Sequence, residues 1–400
     1  MSNRPPAILI IGAGHMQREH IRWAHSLGLA TIVTDFRDDA PAIEMADEYY
    51  QISGSDEEAL SALASQLNKK FNLIGAYSGS DFGLPAVAKI HHQLGLPGCP
   101  PEAVSLSLNK SAAKKVWLSQ GLPTPQMALW KEAPAKLDLL KLTYPIIIKP
   151  LDACGSQGVT SVSTPDGVAD AVTLAKQYGE QVLMEEYFDG YGIDTIGIMW
   201  QGRFIPCGIG DRYFSKPPYH FPTHGFAPSA LPNCDVEQAY HLTEQACRAL
   251  GIDNTPVKAD LLYKEGKFTL LEVSPRFHGD VFTTKLIPFS NGQSPVLQWF
   301  SLLKGTDVHT SRSNSTPERI VIWKALFPLA PDIDFAKVEQ FLSEHSDLLE
   351  FFYEPRRYKK HQRHSDNTSL VGFFWIAFNN RQDADSFLTI FSNRFEGTLL

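Results

Sequence analysis

The 400-residue chain predicts an α/β fold built from more than one domain. Three observations carry that expectation. Short β-branched runs alternate with helical patterns through the first hundred residues, as in a parallel sheet. A turn-rich stretch, Gly95-Leu-Pro-Gly-Cys-Pro-Pro101, then interrupts the alternation. The length also exceeds the roughly 100–200 residues usual for one domain.

Taken in order, Ala7 to Ile11 reads as a buried strand, His15 to Gly28 as a helix closed by glycine, and Ala30 to Thr34 as a second strand. Asp56 to Leu67 is a helix and Leu73 to Tyr77 a strand. Beyond the interruption, Ser111 to Gln120 is a helix that stops at Gly121-Leu-Pro123. Pro145 to Pro150 is a strand running into a glycine-bearing loop, and Gln181 to Glu185 is a further strand. One hairpin is expected from about Gly192 to Pro206 and a clearer one over Val257 to Pro275. The polar run Thr310 to Pro317 separates a last α+β segment. The expected domains are therefore 1–109, 110–305 and 306–400.

Composition narrows the function. With 43% hydrophobic and 20% charged residues the chain has ample apolar material for a core, which excludes a mostly disordered protein. Lys+Arg 36 against Asp+Glu 44 gives a net charge of −8, which argues against general nucleic-acid affinity. One phosphorylated ligand in a locally basic pocket remains compatible. Five cysteines without a C-x-x-C pair indicate neither a disulfide framework nor a zinc knuckle, and fit a reduced, cytoplasmic compartment. The N-terminus lacks a signal-peptide layout, and Ile320 to Ala330 is too short to span a bilayer. The expected partners are small molecules rather than nucleic acid or membrane, with a homodimer as the symmetric default.

Gly12-Ala-Gly-His-Met-Gln17 follows a strand, and Asp35 ends the next one. This is most of a dinucleotide fingerprint, but its sixth position is Gln17 rather than glycine. We read it as a tight strand-to-helix turn. A dehydrogenase reading would need Asp35 at a ribose, and would leave a second pattern unexplained.

That pattern is the hairpin Val257 to Arg276. Opposed residues in a hairpin have numbers that sum to a constant, and a turn centred on Gly266 sets Asp260 opposite Glu272. Like charges opposed at about 4.5–5.5 Å destabilise a sheet, and a divalent cation resolves the conflict. Magnesium prefers oxygen and takes one or two carboxylates plus substrate phosphates. By alternation Lys258, Asp260, Glu272, Ser274 and Arg276 share a face. The competing reading is a solvated hairpin whose acids pair with Lys258 and Arg276.

With these residues in hand, the sequence resembles the ATP-grasp superfamily over about residues 5–305. Tyr144-Pro-Ile-Ile-Ile-Lys-Pro150 resembles its strand lysine, Asp152-Ala-Cys-Gly-Ser-Gln-Gly-Val159 its mobile glycine loop, and Leu183-Met-Glu-Glu-Tyr-Phe188 its adenine hinge. Asn109-Lys110 resembles the earlier nucleotide lysine, and Glu272-Val-Ser-Pro-Arg276 its acid–arginine motif. The resemblance implies a Rossmann-like N-terminal domain, a central two-subdomain ATP-grasp module and a small α+β cap. It implies ATP and Mg2+, with Mn2+ as the alternative metal. The nucleotide would meet Lys110, Lys149, Gly155, Ser156, Gly158, Glu185, Glu186, Tyr187 and Phe188. Asp260, Glu272 and Ser274 would hold the metal, and Arg276 would stabilise the transferring phosphoryl group. Ser274 stands where the family has asparagine. Gly192 stands where a ribose glutamate is usual, so Asp194 is expected to substitute for it.

Family members mostly convert a carboxylate to an acyl phosphate, which then acylates an amine. The loop and the Arg276-Phe-His-Gly279 pattern resemble carboxylate–amine ligases more than biotin carboxylase-like members. An amide- or peptide-forming ligase is the expectation. The alternatives are a purine-biosynthesis type of formyl or carboxyl activation and a non-catalytic nucleotide sensor. No covalent protein intermediate is required, so Cys154 reads as a small loop residue. Asp81, Arg212, His224 and His278 are the substrate candidates. Asp81 equally suits a helix cap, Arg212 an ion pair, and a lone histidine a plain hydrogen bond.

Overall fold

The computed structural model describes residues 4–130, 142–153, 155–279, 281–306, 319–329, 333–345, 347–354 and 364–400. Cys154 and the polar run 310–317 lie outside them. Strands β1 (Pro6–Ile11), β2 (Ala30–Asp35), β3 (Glu48–Gln51) and β4 (Asn72–Ser78) form a parallel sheet in the order β3-β2-β1-β4. The sheet is covered on both sides, which is why its central strands read as continuous apolar runs. Ile8 and Ile10 meet Ile21 and Ala24 of α1 (Arg18–Ser26). Ala7 and Leu9 meet Leu60 of α2 (Glu57–Lys70) and Ile90 of α3 (Leu84–Leu94). The helix expected from His15 begins at Arg18, after one tight turn over His15–Gln17.

Helices α4 (Pro101–Leu108) and α5 (Lys110–Ser119) lead to a second sheet. Its strands β5 (Met127–Leu129), β6 (Ile146–Pro150), β7 (Thr160–Val162) and β8 (Val182–Glu186) are antiparallel in the order β5-β8-β6-β7. Helix α6 (Val168–Lys176) packs Val172 and Ala175 on Ile146 and Ile148.

The third sheet has eight strands. These are β9 (Tyr191–Trp200), β10 (Arg203–Phe214), β11 (Pro222–Ala227), β12 (Thr255–Lys264), β13 (Lys267–Ser274), β14 (Ile320–Leu326), β15 (Leu348–Tyr353) and β16 (Gly372–Phe378), in the order β13-β12-β9-β10-β11-β14-β16-β15. Helix α7 (Asn233–Leu250) packs on it, and Trp299 and Phe300 join one core with Ile196 and Ile198 of β9 and Ile8 and Ile10 of β1. Those two aromatics lie on α9 (Pro295–Lys304), which follows the short α8 (Ile287–Asn291). The strands beyond residue 306 extend this sheet through the β11–β14 pairing. The segment expected as a separate cap therefore shares the central hydrogen-bond ladder. Its helices α10 (Phe335–Ser343) and α11 (Arg381–Arg394) close a core of Phe374, Phe387 and Phe391 against Phe226. No helix among the described residues is long and apolar enough to cross a membrane.

The β12–β13 hairpin turns on two residues, Glu265 and Gly266, both in the left-handed region at φ 50 and 78. That turn alone would offset the expected opposition by one. A register shift between Asp260 and Leu261 restores it, and Asp260 faces Glu272 while Lys258 faces Ser274.

Candidate active site

Asp260 is flanked by a carboxylate on each neighbouring strand, Glu272 on β13 and Asp194 on β9. Directly opposed residues project to one face, so three adjacent strands align three acids. Such a row is unfavourable unless cations enter it. Lys258 Nζ lies 2.8 Å from Asp260 Oδ2 and 3.2 Å from Glu272 Oε1. Arg212 Nη2 lies 2.7 Å from Asp194 Oδ2. Burial opposes the charge on Lys258, but Asp260 and Glu272 outweigh it and raise its pKa. The Lys258 ammonium holds Glu272 well below the usual carboxylate range against the cost of burial, with Lys110 and Arg276 adding to the effect. The acids thus pair with Lys258, as the solvated-hairpin reading required, yet the lysine is only 6% exposed. Asp260 and Glu272 keep 24% and 27% of their side chains exposed, so the cluster has a buried lysine beneath two partly open acids, and Arg276 pairs with Asp81.

The donor set fits a divalent cation. Asp260 Oδ1 is buried with no hydrogen-bond partner among the described residues. Ligating atoms of Asp194, Asp260 and His278 lie within 4.8 Å of one another. His278 differs from the two acids. Its Nδ1 lies 3.3 Å from Arg212 Nη2, a group that only donates, so Nδ1 accepts and Nε2 carries the proton. Burial, then Arg212, Lys258 and Arg276, keep this ring neutral by holding its pKa well below the ordinary value. Its Nε2 offers a proton rather than a lone pair. Asp260 and Glu272 would hold the metal, with Ser274 Oγ donating to Glu272 Oε1 at 3.2 Å and orienting it.

The nucleotide lysines converge on the same region. Lys149 on β6 donates to Glu185 Oε2 at 2.7 Å. Lys114 on α5, wholly buried, reaches Glu185 Oε1 at 3.3 Å. Burial pulls the Lys114 ammonium down to about 8, although Glu185 opposes the shift. The two lysines outweigh burial and lower the Glu185 pKa. Glu185, expected at the adenine, is instead enclosed between ammonium groups and fixes Lys149. Lys114 is absent from the expected set, and the signal for it was its i,i+4 spacing from Lys110 on one helix face. Lys110 Nζ donates to the carbonyls of Leu151 (3.3 Å) and Ala153 (2.9 Å), at the entry of the glycine loop. Within that loop Gly155, Ser156 and Gly158 all lie in the left-handed region at φ 65, 62 and 68. Only Ser156 carries a side chain there, which costs strain. The Gly155 carbonyl accepts the Asn367 N–H at 3.1 Å. At the hinge, the Glu186 and Tyr187 N–H groups donate to Gln126 (3.0 Å) and Pro145 (3.2 Å) carbonyls, and the Phe188 ring abuts Gly190.

Besides Glu185 at the hinge and Ser274, which orients Glu272 and was expected to ligate the metal, four more expected residues stand differently. Asp194, expected at the ribose, lies in the acid row and is paired with Arg212. A side chain at Gly192 would be tightly placed, since a Cβ there would lie 3.0 Å from the Arg212 carbonyl and the Phe214 ring. Arg212 is engaged by Asp194 and His278 instead of standing as an open clamp. Asp81 is not the helix cap, and both its carboxylate oxygens are engaged by an arginine. Ser80 is the cap, and Arg276 Nε and Nη2 each donate to an Asp81 oxygen at 2.7 Å. His224 faces away from the acids. It opposes Tyr213, whose neighbour Arg212 points to the acid row. The His224 ring stacks on Tyr213 at 4.7 Å, and burial, then Lys324 and Arg381, pull its pKa down to about 4.

The N-terminal glycine loop is a structural turn. Asp35 Oδ2 accepts the Ala13 N–H at 2.9 Å and Oδ1 the Arg37 N–H at 3.0 Å. The Gln17 side chain lies across Gly12 and Gly14.

Against this geometry, residues 116–276 match the family model of the D-ala D-ala ligase C-terminus, and residues 21–98 that of the ATP-grasp N-terminal domain. The chain is 28% identical over 220 residues to a D-alanine–D-alanine ligase of Pseudomonas fluorescens, covering 53% of this chain and 66% of that protein. Matches to the curated relatives span 51% to 74% of their own length. An L-amino acid ligase from Bacillus licheniformis superposes with a TM-score of 0.78 at 21% identity, over 98% of both chains. An N5-carboxyaminoimidazole synthetase from Staphylococcus aureus, complexed with ADP, gives 0.73 at 15% identity over 96% of both. The two matched segments together take in more than half of the sequence, and the likeness of fold runs through nearly all of it. The chain belongs to the ATP-grasp superfamily.

Proposed function

We propose that this protein is an ATP-dependent carboxylate–amine ligase that joins a small acid, an amino acid in the first instance, to an amine. The observation that carries the reading is the opposition of Asp260 and Glu272 on one sheet face, with Lys258, Lys110 and Arg276 around it. The names of the similar proteins, D-alanine–D-alanine ligase and L-amino acid ligase, support an amino acid as substrate.

A carboxylate oxygen of the acid attacks the γ-phosphorus of ATP, the bond to the β-phosphate oxygen breaks, and ADP leaves. The amine then attacks the acyl carbon, loses a proton and expels inorganic phosphate. Bound Mg2+, or Mn2+ in its place, supplies charge neutralisation at the terminal phosphates. Asp260 and Glu272 would hold that ion, and Lys149, fixed by Glu185, would offer positive charge to the nucleotide. Arg276 stabilises charge on the transferred group. Neutral His278 carries its proton at Nε2, which lies 3.9 Å from Asp194 Oδ1. Holding both reactants in one water-poor cleft can remove roughly 7–11 kcal/mol of barrier.

A screen of ADP release across pairs of amino acids, other small acids and amines with Mg2+ tests the proposal. Release that requires both partners, with hydroxylamine trapping a hydroxamate when the amine is withheld, is the expected result. Tight ATP binding with no release from any pair would overturn it.

A further inference from the structure

Asp81 and Arg276 meet from distant parts of the chain. Asp81 opens the turn before α3 in the N-terminal domain, and Arg276 follows β13. The pair is bidentate, at 2.7 Å on both arms, with Arg276 only 11% exposed. Arg276 Nη1 also donates to the Phe277 carbonyl at 3.0 Å. A guanidinium has five N–H donors in one rigid plane. Three are thereby engaged, which leaves one N–H on each of Nη1 and Nη2, the two nitrogens of the end-on fork.

Two features hold Asp81 in place. Ser78 Oγ donates to the Ser80 carbonyl at 2.9 Å and accepts the Ser80 N–H at 3.1 Å, which knots the turn. The turns bearing the pair also approach closely, since a Cβ on Gly279 would come within 2.6 Å of the Gly79 carbonyl.

We propose that Asp81 is a positioning residue for Arg276: it engages the side edge of the guanidinium, so that the end-on fork is what meets a transferring phosphoryl oxygen. Because Asp81 belongs to the N-terminal domain, the arginine is aimed only when that domain is seated on the central sheet. The kinetic part of this inference rests on the ligase reading.

The experiment compares wild type, Asp81→Asn, Arg276→Ala and the double variant by steady-state kinetics. A misplacement of about 1 Å can cost about 10²-fold in rate. Asp81→Asn is expected to lower kcat on that order, with KM for ATP changed less than about twofold. In the Arg276→Ala background it should cause no further loss, because groups that act as a unit are non-additive. Gly279→Ala, which moves the turn and keeps both charges, should lower kcat in the same sense and serves if Asp81→Asn folds poorly. An unchanged kcat, or an equal further loss without Arg276, would overturn the proposal.

If wild type turns over no substrate pair, the ligase reading fails, and positioning is then read from the 15N signal of Arg276 Nε. Hydrogen exchange at that site should be at least about tenfold faster in Asp81→Asn than in wild type. Equal rates would overturn the positioning role by themselves.

Discussion

Lys258 stands 2.8 Å from one acid and 3.2 Å from the next, and it is the residue that lets the row exist without a metal. Removing one partner of a buried charge cluster commonly costs about 3–5 kcal/mol. Lys258→Met is expected to lower the unfolding free energy by an amount of that order, with saturating Mg2+ restoring part of it. Urea unfolding with and without Mg2+ measures both, and a variant as stable as wild type would contradict the cluster. Glu272→Gln should reduce turnover at least about 10²-fold while the chain still folds, because Lys258 keeps Asp260 at 2.8 Å as its partner. ADP release and far-UV circular dichroism report the two quantities. At this scale the sequence reached the Asp260–Glu272 opposition by centring the turn on Gly266, whereas the two-residue turn misses it by one and the bulge at Asp260/Leu261 restores it. The Asp81–Arg276 pair was hidden, since its members lie 195 residues apart and neither strand pattern contains the other. Lys114 was concealed for a different reason: a lysine on a helix reads as a solvated charge until burial is known.

Strand β10 presents different chemistry on its two faces. Arg212 turns to the acid row, while Asp211 turns to the opposite side and binds Arg381 of α11 at 2.9 Å. The Arg381 guanidinium also lies 3.5 Å over the Phe226 ring. Arg381→Ala leaves Asp211, a fully buried carboxylate, without its cation, and is expected to cost about 3 kcal/mol. The acid row lies on the other face, so kcat should hold within about twofold. Chemical unfolding and kinetics on one preparation test both statements, and a large loss of kcat at unchanged stability would contradict the two-faced reading. Most strands and helices were legible within a few residues, as with Asp56 capping α2. The bulge at Asp260/Leu261 was not, because a bulge depends on the partner strand rather than on local propensity. The same limit misplaced His224, whose face is set by pairing with β10 across an intervening turn.

Across the whole molecule, the eight-stranded sheet binds the segment beyond residue 306 to the central module. A polar run suggested a boundary there, whereas the β11–β14 pairing is long-range and leaves no local trace. Three histidines in different places, His20, His91 and His224, are buried deeply enough that burial pulls each to about 4. With a folded pKa below the unfolded value near 6.5, the unfolded chain binds more protons between those limits. Their contribution is therefore fully present above about pH 6.5 and is lost as the pH falls toward 4, by up to about 3 kcal/mol for each. Unfolding free energies measured from pH 8 to 4.5 should be level at first and then fall. A level profile down to pH 4.5 would contradict the neutral buried rings.

Transfer of isotope from acid to phosphate tests the central claim most directly. A carboxylate substrate labelled with 18O is incubated with ATP, Mg2+ and amine, and the released phosphate is analysed by mass spectrometry. One labelled oxygen per phosphate is the predicted result, since the oxygen that attacks phosphorus leaves with it. Product formed with unlabelled phosphate would contradict carboxylate activation at the acid row.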